Sequence, residues 1–286
     1  MHQNDVNGEP CGIAVGFFKT ASRICTELKE QFMEPVTNIA CMDFGRCAWR
    51  TESYPEYKGG RKKPEVHDFL PQMAALEQAL PHFGFKVIKA LRVEADDLLG
   101  VASYELEKRT DEPLCILSSD KDTYQLITDR VAVYDFGTNL IVNEAKATEI
   151  LGIPPNRLVE MKALAGDSSD NIPGAKGIGQ KGALEILNTY PDLQALLHKL
   201  EFEAPPEKGV LKKLAASIAD VRLAGKLCTI AQTPEQLWTE EARVEVEKVV
   251  KWAMGPPRAP LDDMVLEAYS DLWRVRDAET WKYAFS

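Results

Sequence analysis

Residues 114–128 read LCILSSDKDTYQLIT. Four apolar residues, Leu114 to Leu117, form a run of strand length. The chemistry then changes at once to Ser118-Ser119-Asp120-Lys121-Asp122, and Leu126 to Thr128 ends a short helix. A compact apolar run without alternation suits a strand buried on both faces. Acids directly after it would stand at the carboxyl end of a parallel strand, where open α/β sheets bind their ligands.

Working outward, residues 95–108 are helical, Phe85 to Leu91 is a strand, and 66–83 is an amphipathic helix. Asn38 to Met42 is a short buried strand that stops at Asp43. Residues 12–33 place Ile13, Phe17, Ile24, Leu28 and Phe32 at helical spacing, with Pro35 as the stop. On the other side, Val131–Phe136 and Leu140–Val142 form a hairpin or two successive strands, and after residue 144 the pattern is helical. Strands alternating with helices, then helices alone, predict a parallel α/β domain followed by a helical module. FEAPPEKG at 202–209 and GPPRAPL at 255–261 read as turns or linkers.

The bulk composition excludes several classes. With 286 residues, 45% hydrophobic and 27% charged, the chain is an ordinary globular protein. No apolar run approaches the ~18 residues of a membrane span. The amino-terminal MHQNDVNGEP lacks the basic-then-apolar order of a signal peptide, which predicts a cytoplasmic protein. Six cysteines (11, 25, 41, 47, 115, 228) without a C-x-x-C pair, and four histidines, make a zinc site a poor fit. The net charge of −10 speaks against nucleic acid on average, yet Arg46 to Lys63 holds six basic residues and two acidic ones.

Four acidic groups fall at ends of elements: Asp43; Glu94, Asp96 and Asp97 in VEADD; Asp120 and Asp122 in SSDKD; Asp167 and Asp170 in GDSSDN. Taken alone, VEADD and SSDKD each read first as helix caps. Taken together, carboxylates brought to one place repel unless cations neutralise them. With no matching lysine cluster evident in the sequence, the expected neutraliser is a hard divalent ion, Mg²⁺ or Mn²⁺. Two such ions would hydrolyse a phosphodiester.

IPGAKGIGQKGALEIL carries Gly174, Gly177, Gly179 and Gly182 with Lys176 and Lys181 between them. A tight glycine turn opening a helix near Ile178 offers backbone amides and charge to phosphates without reading bases. Because it follows a loop and not a strand, a dinucleotide site is disfavoured. WRTESYPEYKGGRKK mixes Trp49, Tyr54 and Tyr57 with Arg50, Lys58, Arg61, Lys62 and Lys63, a composition suited to single-stranded nucleic acid or to a solvated loop.

The order and spacing of MDFGRCAWRTESYPEYKGGR, VEADD, SSDKDTYQLI and LAGDSSDNIPGAKGIGQKGA resemble the 5′ nuclease family over residues 8–200. That family includes phage 5′–3′ exonucleases, flap endonucleases and the 5′ nuclease domain of bacterial DNA polymerase I. The resemblance implies a PIN-like parallel-sheet core at 1–160 with a helical arch or clamp about 44–64. It implies a helix-hairpin-helix (H3TH) module at 161–230, and a C-terminal helical segment, 231–286, would pack on the core. It implies metal ligation by Asp43, Glu94, Asp96, Asp97, Asp120, Asp122, Asp167 and Asp170, and steering of the phosphate by Lys58 and Arg61. DNA contacts would come from Arg46, Arg50, Tyr57, Lys58, Arg61, Lys62, Lys176, Gly177, Gly179 and Lys181, with K⁺ at the glycine hairpin. Substrates would be DNA 5′ flaps, 5′ ends and RNA primers, cut by a monomer in a bacterial or phage-infected cell.

The family begins with a strand that ends in a further ligating Asp, whereas NGEPCG resembles the loop after it; Asp5, in a polar stretch, is a poor substitute. The expectation is a start misplaced or truncated at Met1. The competing reading is a DNA-binding homologue with weak or no cleavage. A nucleotide-binding α/β protein using the glycine turn is a remote third.

Overall fold

The computed structural model describes residues 3–32, 36–61, 66–203, 206–256, 261–275 and 279–285. Pro35, Lys62, Lys63 and parts of both linker stretches lie outside the described residues. In chain order the elements are α1 (Gly12–Phe32), β1 (Asn38–Cys41), α2 (Ala48–Ser53), α3 (Val66–Ala79), β2 (Phe85–Ile88), α4 (Ala95–Glu107), β3 (Leu114–Leu117), β4 (Val131–Asp135), β5 (Leu140–Val142), α5 (Glu144–Leu151), α6 (Leu158–Ala165), α7 (Gln180–Thr189), α8 (Leu193–Phe202), α9 (Val210–Ala215), α10 (Ile218–Cys228), α11 (Glu240–Ala253), α12 (Asp263–Trp273) and α13 (Glu279–Phe285). None of the helices among the described residues is long and apolar enough to cross a membrane.

Two expected boundaries move, each for a local reason. The strand expected to reach Leu91 ends at Ile88, because the chain turns at Leu91 and Arg92, with Arg92 in the left-handed region at φ 62°. The helix expected to reach residue 83 ends its α-helical part at Ala79 and tightens to a 3₁₀ turn over Leu80–Phe83. Pro81 has no amide to continue the ladder, and Gly84 at φ 77° closes the turn.

The chain divides into two compact units that are not consecutive stretches. One is built from the described parts of 1–42, 62–89 and 244–286; the other from 43–61 and 90–243. In the first unit β1 and β2 pair in parallel, with Asn38 opposite Phe85 and Cys41 opposite Ile88. Its core is aromatic: Phe18 lies 4.3 Å from Phe83 and 5.7 Å from Trp273, centroid to centroid, and Trp281 and Phe285 complete the cluster. Gln72 of α3 accepts from the Ile13 amide, capping the otherwise open first turn of α1. Lys29 of α1 donates to the Tyr283 carbonyl of α13, and the Val6 amide to the Leu272 carbonyl.

The second unit holds β3 and β4 in parallel and β5 antiparallel to β4, so residues 131–142 form the hairpin alternative. The core of this unit runs from Ile116 and Val133 in the sheet through Leu164, Ile186 and Leu197 in the helices to Ala224 of α10. Of the four late tryptophans expected to pack, Trp273 and Trp281 are buried, Trp252 is partly covered, and Trp238 is 55% exposed on a turn.

Phe18 is fully enclosed in the aromatic cluster. Phe18→Ala is expected to lower the unfolding free energy by about 3–5 kcal/mol in chemical denaturation, the usual cost of emptying an aromatic core site.

Candidate active site

The acids meet. Asp43, Glu94, Asp96, Asp120, Asp122, Asp167 and Asp170 line one cavity of about 250 Å³ in the second unit, together with Arg50, Tyr57, Lys58 and Arg61. Asp97 stands behind Glu94, only 2% exposed.

Local folding explains each placement. Glu94 is the N-cap residue of α4 and Asp96 and Asp97 occupy its first turn, where free amides and the helix dipole favour negative charge. Asp43 accepts from the Ala95 amide at 2.8 Å, so it caps that helix from a distant point in the chain. Asp120 follows β3 and caps the 3₁₀ turn after it, accepting from the Asp122 amide. Asp167 and Ile172 exchange backbone hydrogen bonds, which folds GDSSDN into a closed loop. That loop needs glycine: a Cβ on Gly174 would sit 2.2 Å from the Gly166 nitrogen. The capping role and the cavity role are therefore performed by the same carboxylates.

The expectation that no lysine cluster accompanies the acids is corrected. Four cations stand among the eight carboxylates. Arg50 of α2 is buried and forks onto Asp97, with Nη1 to Oδ2 at 2.6 Å and Nη2 to Oδ1 at 2.9 Å, while Nη1 also reaches Glu94 at 2.8 Å. Burial opposes its charge, but Asp97 and Glu94 outweigh burial and push its pKa up. Lys58 donates to Glu94, and Arg61 to Asp170. Lys162 of α6 bridges Asp122 and Asp167. Burial works against the Asp167 carboxylate, yet bonds from Lys162 and Ser169 bring it down to about 2. Burial raises Asp122, with Lys162 acting in the opposite direction.

Asp43, Asp96 and Asp120 make no ion pair among the described residues. Asp96 carries the consequence: burial, then the nearby charges of Asp120, Asp43 and Glu94, lift its carboxyl to about 7. Lys58 acts on Asp96 in the opposite direction and does not outweigh them. An oxygen-only donor set is what a hard divalent ion takes. A second grouping, Cys47, Glu94 and Asp97, has metal-like spacing. Arg50 Nη1 already donates to all three, so a guanidinium fills that position.

Two expected DNA contacts are also corrected. Arg50 is 3% exposed and spends its donors inside the protein. Tyr57, 4% exposed, offers no stacking face; its hydroxyl lies 3.0 Å from Glu94 and 3.2 Å from Asp170 and donates to them. Burial, then Glu94, holds that phenol protonated. Lys58 and Arg61 lie in the turn after α2 and not on a helix, Lys58 with a left-handed φ of 55° and its amide bonded to the Asp170 carbonyl. Arg46 is exposed, and Lys62 is outside the described residues.

Lys176, Gly177, Gly179 and Lys181 are all exposed. Gly177 adopts φ 76°, and α7 begins at Gln180 with Gly179 as its N-cap, two residues later than expected. The Lys213 ammonium of α9 donates to the Gly177 carbonyl at 3.1 Å. Lys162, Lys213 and Gln125 were not anticipated. The only sequence signal for Lys162 was its place one turn before Asp167 at a helix end, where a basic residue also suits the dipole.

Family models match most of the chain: "5′-3′ exonuclease, N-terminal resolvase-like domain" over residues 1–152 and "5′-3′ exonuclease, C-terminal SAM fold" over 153–249. An α/β part followed by a helical part agrees with the order read from the sequence. The thermostable DNA polymerase I of Thermus thermophilus is 36% identical over 223 residues, which is 78% of this chain and 26% of the polymerase. The 5′-3′ exonuclease of Bacillus subtilis is 30% identical over 237 residues, 80% of this chain and 76% of that protein. The chain thus matches about a quarter of the polymerase relative and about three quarters of the stand-alone one. The zinc-bound structure of T5 5′-exonuclease shares the fold, with a TM-score of 0.71 at 21% identity over 84% of this chain and 92% of that one.

The protonation of Asp96 gives a signed test. Without metal the folded chain keeps that proton up to about pH 7, while an unfolded carboxyl releases it near ~3.9. The group therefore favours the fold below about pH 4 and loses that contribution as pH climbs through the window to the folded value. Relative to Asp96→Asn, the unfolding free energy of the metal-free protein is expected to fall across this window, and Mg²⁺ is expected to flatten the fall. A metal-free difference that does not vary with pH would overturn the assignment.

Proposed function

This chain belongs to the 5′–3′ exonuclease family, and on that premise we propose that it hydrolyses DNA phosphodiester bonds at 5′ ends and 5′ flaps with two divalent cations, Mg²⁺ or Mn²⁺. The observation that carries the proposal is the trio Asp43, Asp96 and Asp120, carboxylates that form no ion pair among the described residues in an acid-lined cavity, where the only opposing charge on Asp96 among its main influences is Lys58. Asp43, Glu94, Asp96 and Asp120 would hold one ion. Asp122, Asp167 and Asp170 would hold the other, in exchange for Lys162 and Arg61. Asp97 acts through Arg50 from behind the cavity wall. When bound, the ions supply an activated water and charge for the leaving oxygen.

The protein's own groups do the rest. Lys58 and Arg61 exchange their carboxylate partners for phosphate oxygens of the 5′ strand, and exposed Arg46 adds positive charge to the same unit. Lys176 and Lys181, with the amides at Gly177 and Gly179, grip duplex phosphates without base readout. K⁺ fits the hairpin less well, because Lys213 already supplies the cation at the Gly177 carbonyl. RNA primers as further substrates, a monomeric state and a bacterial or phage-infected cytoplasm complete the proposal. The second reading, a DNA-binding relative that does not cleave, is favoured by one observation: Lys162 and Arg61 already pair with Asp122, Asp167 and Asp170.

A labelled 5′-flap duplex incubated with Mg²⁺ or with chelator separates the two. Cleavage is expected with Mg²⁺ only, and Asp120→Asn is expected to slow it by about 100-fold or more while leaving flap binding intact or tighter. Binding without cleavage would favour the second reading. For the hairpin, replacing Lys176 and Lys181 by Ala is expected to lower the slope of log binding constant against log salt by about 2, roughly one per phosphate contact.

A further inference from the structure

Helix α10 ends at Cys228, so its last carbonyls have no intrahelical partner. They are not left to solvent. Arg50 donates from Nε to the Leu227 carbonyl at 3.0 Å and from Nη2 to the Thr229 carbonyl at 2.7 Å. Gln125 Nε2 donates to the Cys228 carbonyl, and Gln125 Oε1 accepts from the Ile230 amide at 2.9 Å. Asp97 Oδ1 accepts from the Ala231 amide at 3.0 Å. Five consecutive residues, 227–231, thus each give one backbone group to a side chain that is at least nine-tenths buried. Two of the three side chains, Arg50 and Asp97, are the pair that orients the cavity wall, and Leu227, Cys228 and Ile230 line that cavity themselves.

The strap is also pressed on α4 from its outer side. A Cβ on Gly100 would lie 2.2 Å from the Ala231 carbonyl oxygen, so only glycine lets the strap approach the helix that carries Glu94, Asp96 and Asp97. At its other end the strap emerges from α10, whose Gly225 lies against Ala163 of α6, the helix that carries Lys162.

We propose that Gln125 is a positioning residue: with Arg50 and Asp97 it clasps the strap 227–231 and through it fixes the carboxylates Glu94 and Asp97 at the cavity. The proposal rests on the reading of that cavity as a divalent-ion site. Gln125 touches no candidate metal ligand through its side chain except by donating to the Asp122 backbone carbonyl at 3.0 Å. Its effect passes through the strap. Releasing Cys228 and Ile230 frees the two carbonyls that hold Arg50, and with them the guanidinium fork on Asp97 and Glu94. A charge-assisted fork tightened by further bonds works as a unit, so loosening one end is felt at the other.

The test compares Gln125→Met, which keeps the bulk but no hydrogen bonds, with Gln125→Glu, which keeps the acceptor for Ile230. Four quantities are measured below the unfolding temperature: amide hydrogen exchange at Ile230 and Ala231, Mn²⁺ affinity by calorimetry without DNA, flap affinity in Ca²⁺, and flap cleavage. Gln125→Met is expected to speed exchange about tenfold at Ala231 as well as at Ile230 and to weaken Mn²⁺ binding about fivefold, because a lost buried bond is worth about that factor. It is expected to leave flap affinity in Ca²⁺ unchanged. Gln125→Glu, which serves if the Met variant does not fold, is expected to keep Ile230 protected and to fall between wild type and Met in Mn²⁺ affinity. Faster exchange at Ile230 alone in the Met variant, with Ala231 protection and Mn²⁺ affinity as in wild type, would overturn the proposal. So would a Glu variant that matches wild type in Mn²⁺ affinity when the Met variant does not fold. If the wild type binds Mn²⁺ but cuts no DNA, the cleavage reading fails and the clasp stands. If it binds no Mn²⁺, the metal reading fails and the spread of exchange from Ile230 to Ala231 decides the clasp alone.

Discussion

A guanidinium taken out of water has to find its hydration again in protein oxygens, and Arg50 finds it in Asp97, Glu94 and two carbonyls of the segment after α10. The cost of burying a charge is repaid only when the partners are placed well and fully used. That requirement ties α2, α4 and the end of α10 to a single geometry. Removing either partner would strand the other, uncompensated, in the interior. Glu94 and Asp97 are therefore held for a structural reason before any ion or substrate arrives.

Around this pair the remaining charges sort into two kinds. Asp122, Asp167 and Asp170 have ammonium or guanidinium partners, and Asp167 is correspondingly acidic. Asp43, Asp96 and Asp120 form no ion pair among the described residues, and burial with the surrounding acids makes Asp96 correspondingly basic. Groups whose surroundings drive like side chains in opposite directions mark functional sites more often than structural ones. The separation also gives the site an internal order: on one side three carboxylates share two protein cations, and on the other three carboxylates form no ion pair among the described residues.

What the sequence revealed and what it hid follow from range. Short apolar runs such as Leu114–Leu117 and Asn38–Cys41 identify themselves as strands by length and composition, although the full burial expected of them is not met: β1 is half-buried along its length, and in β3 only Ile116 is buried while Leu117 is exposed. Acids at the ends of those runs were legible for the same reason. Arg50 and Tyr57 were misread because they lie in a stretch rich in Lys, Arg and Gly, and composition describes the surface a segment usually makes. Their burial depends on partners up to 179 residues away in sequence. Lys162 was missed for a related reason: its place near Asp167 was a weak signal, and its other partner, Asp122, lies 40 positions upstream. The end of β2 was misjudged because an apolar Leu91 looks like strand while its backbone is already turning.

The unit built on Phe18 has its own consequence for synthesis. α1 emerges from the ribosome early, with Phe18, Ile24 and Leu28 on its apolar face, whereas Trp273 and Trp281, which cover that face, are translated some 250 residues later. The second unit needs nothing beyond residue 243 and can close first. Until α12 and α13 are made, the chain therefore carries an uncovered greasy helix, an exposure that folding helpers exist to shield.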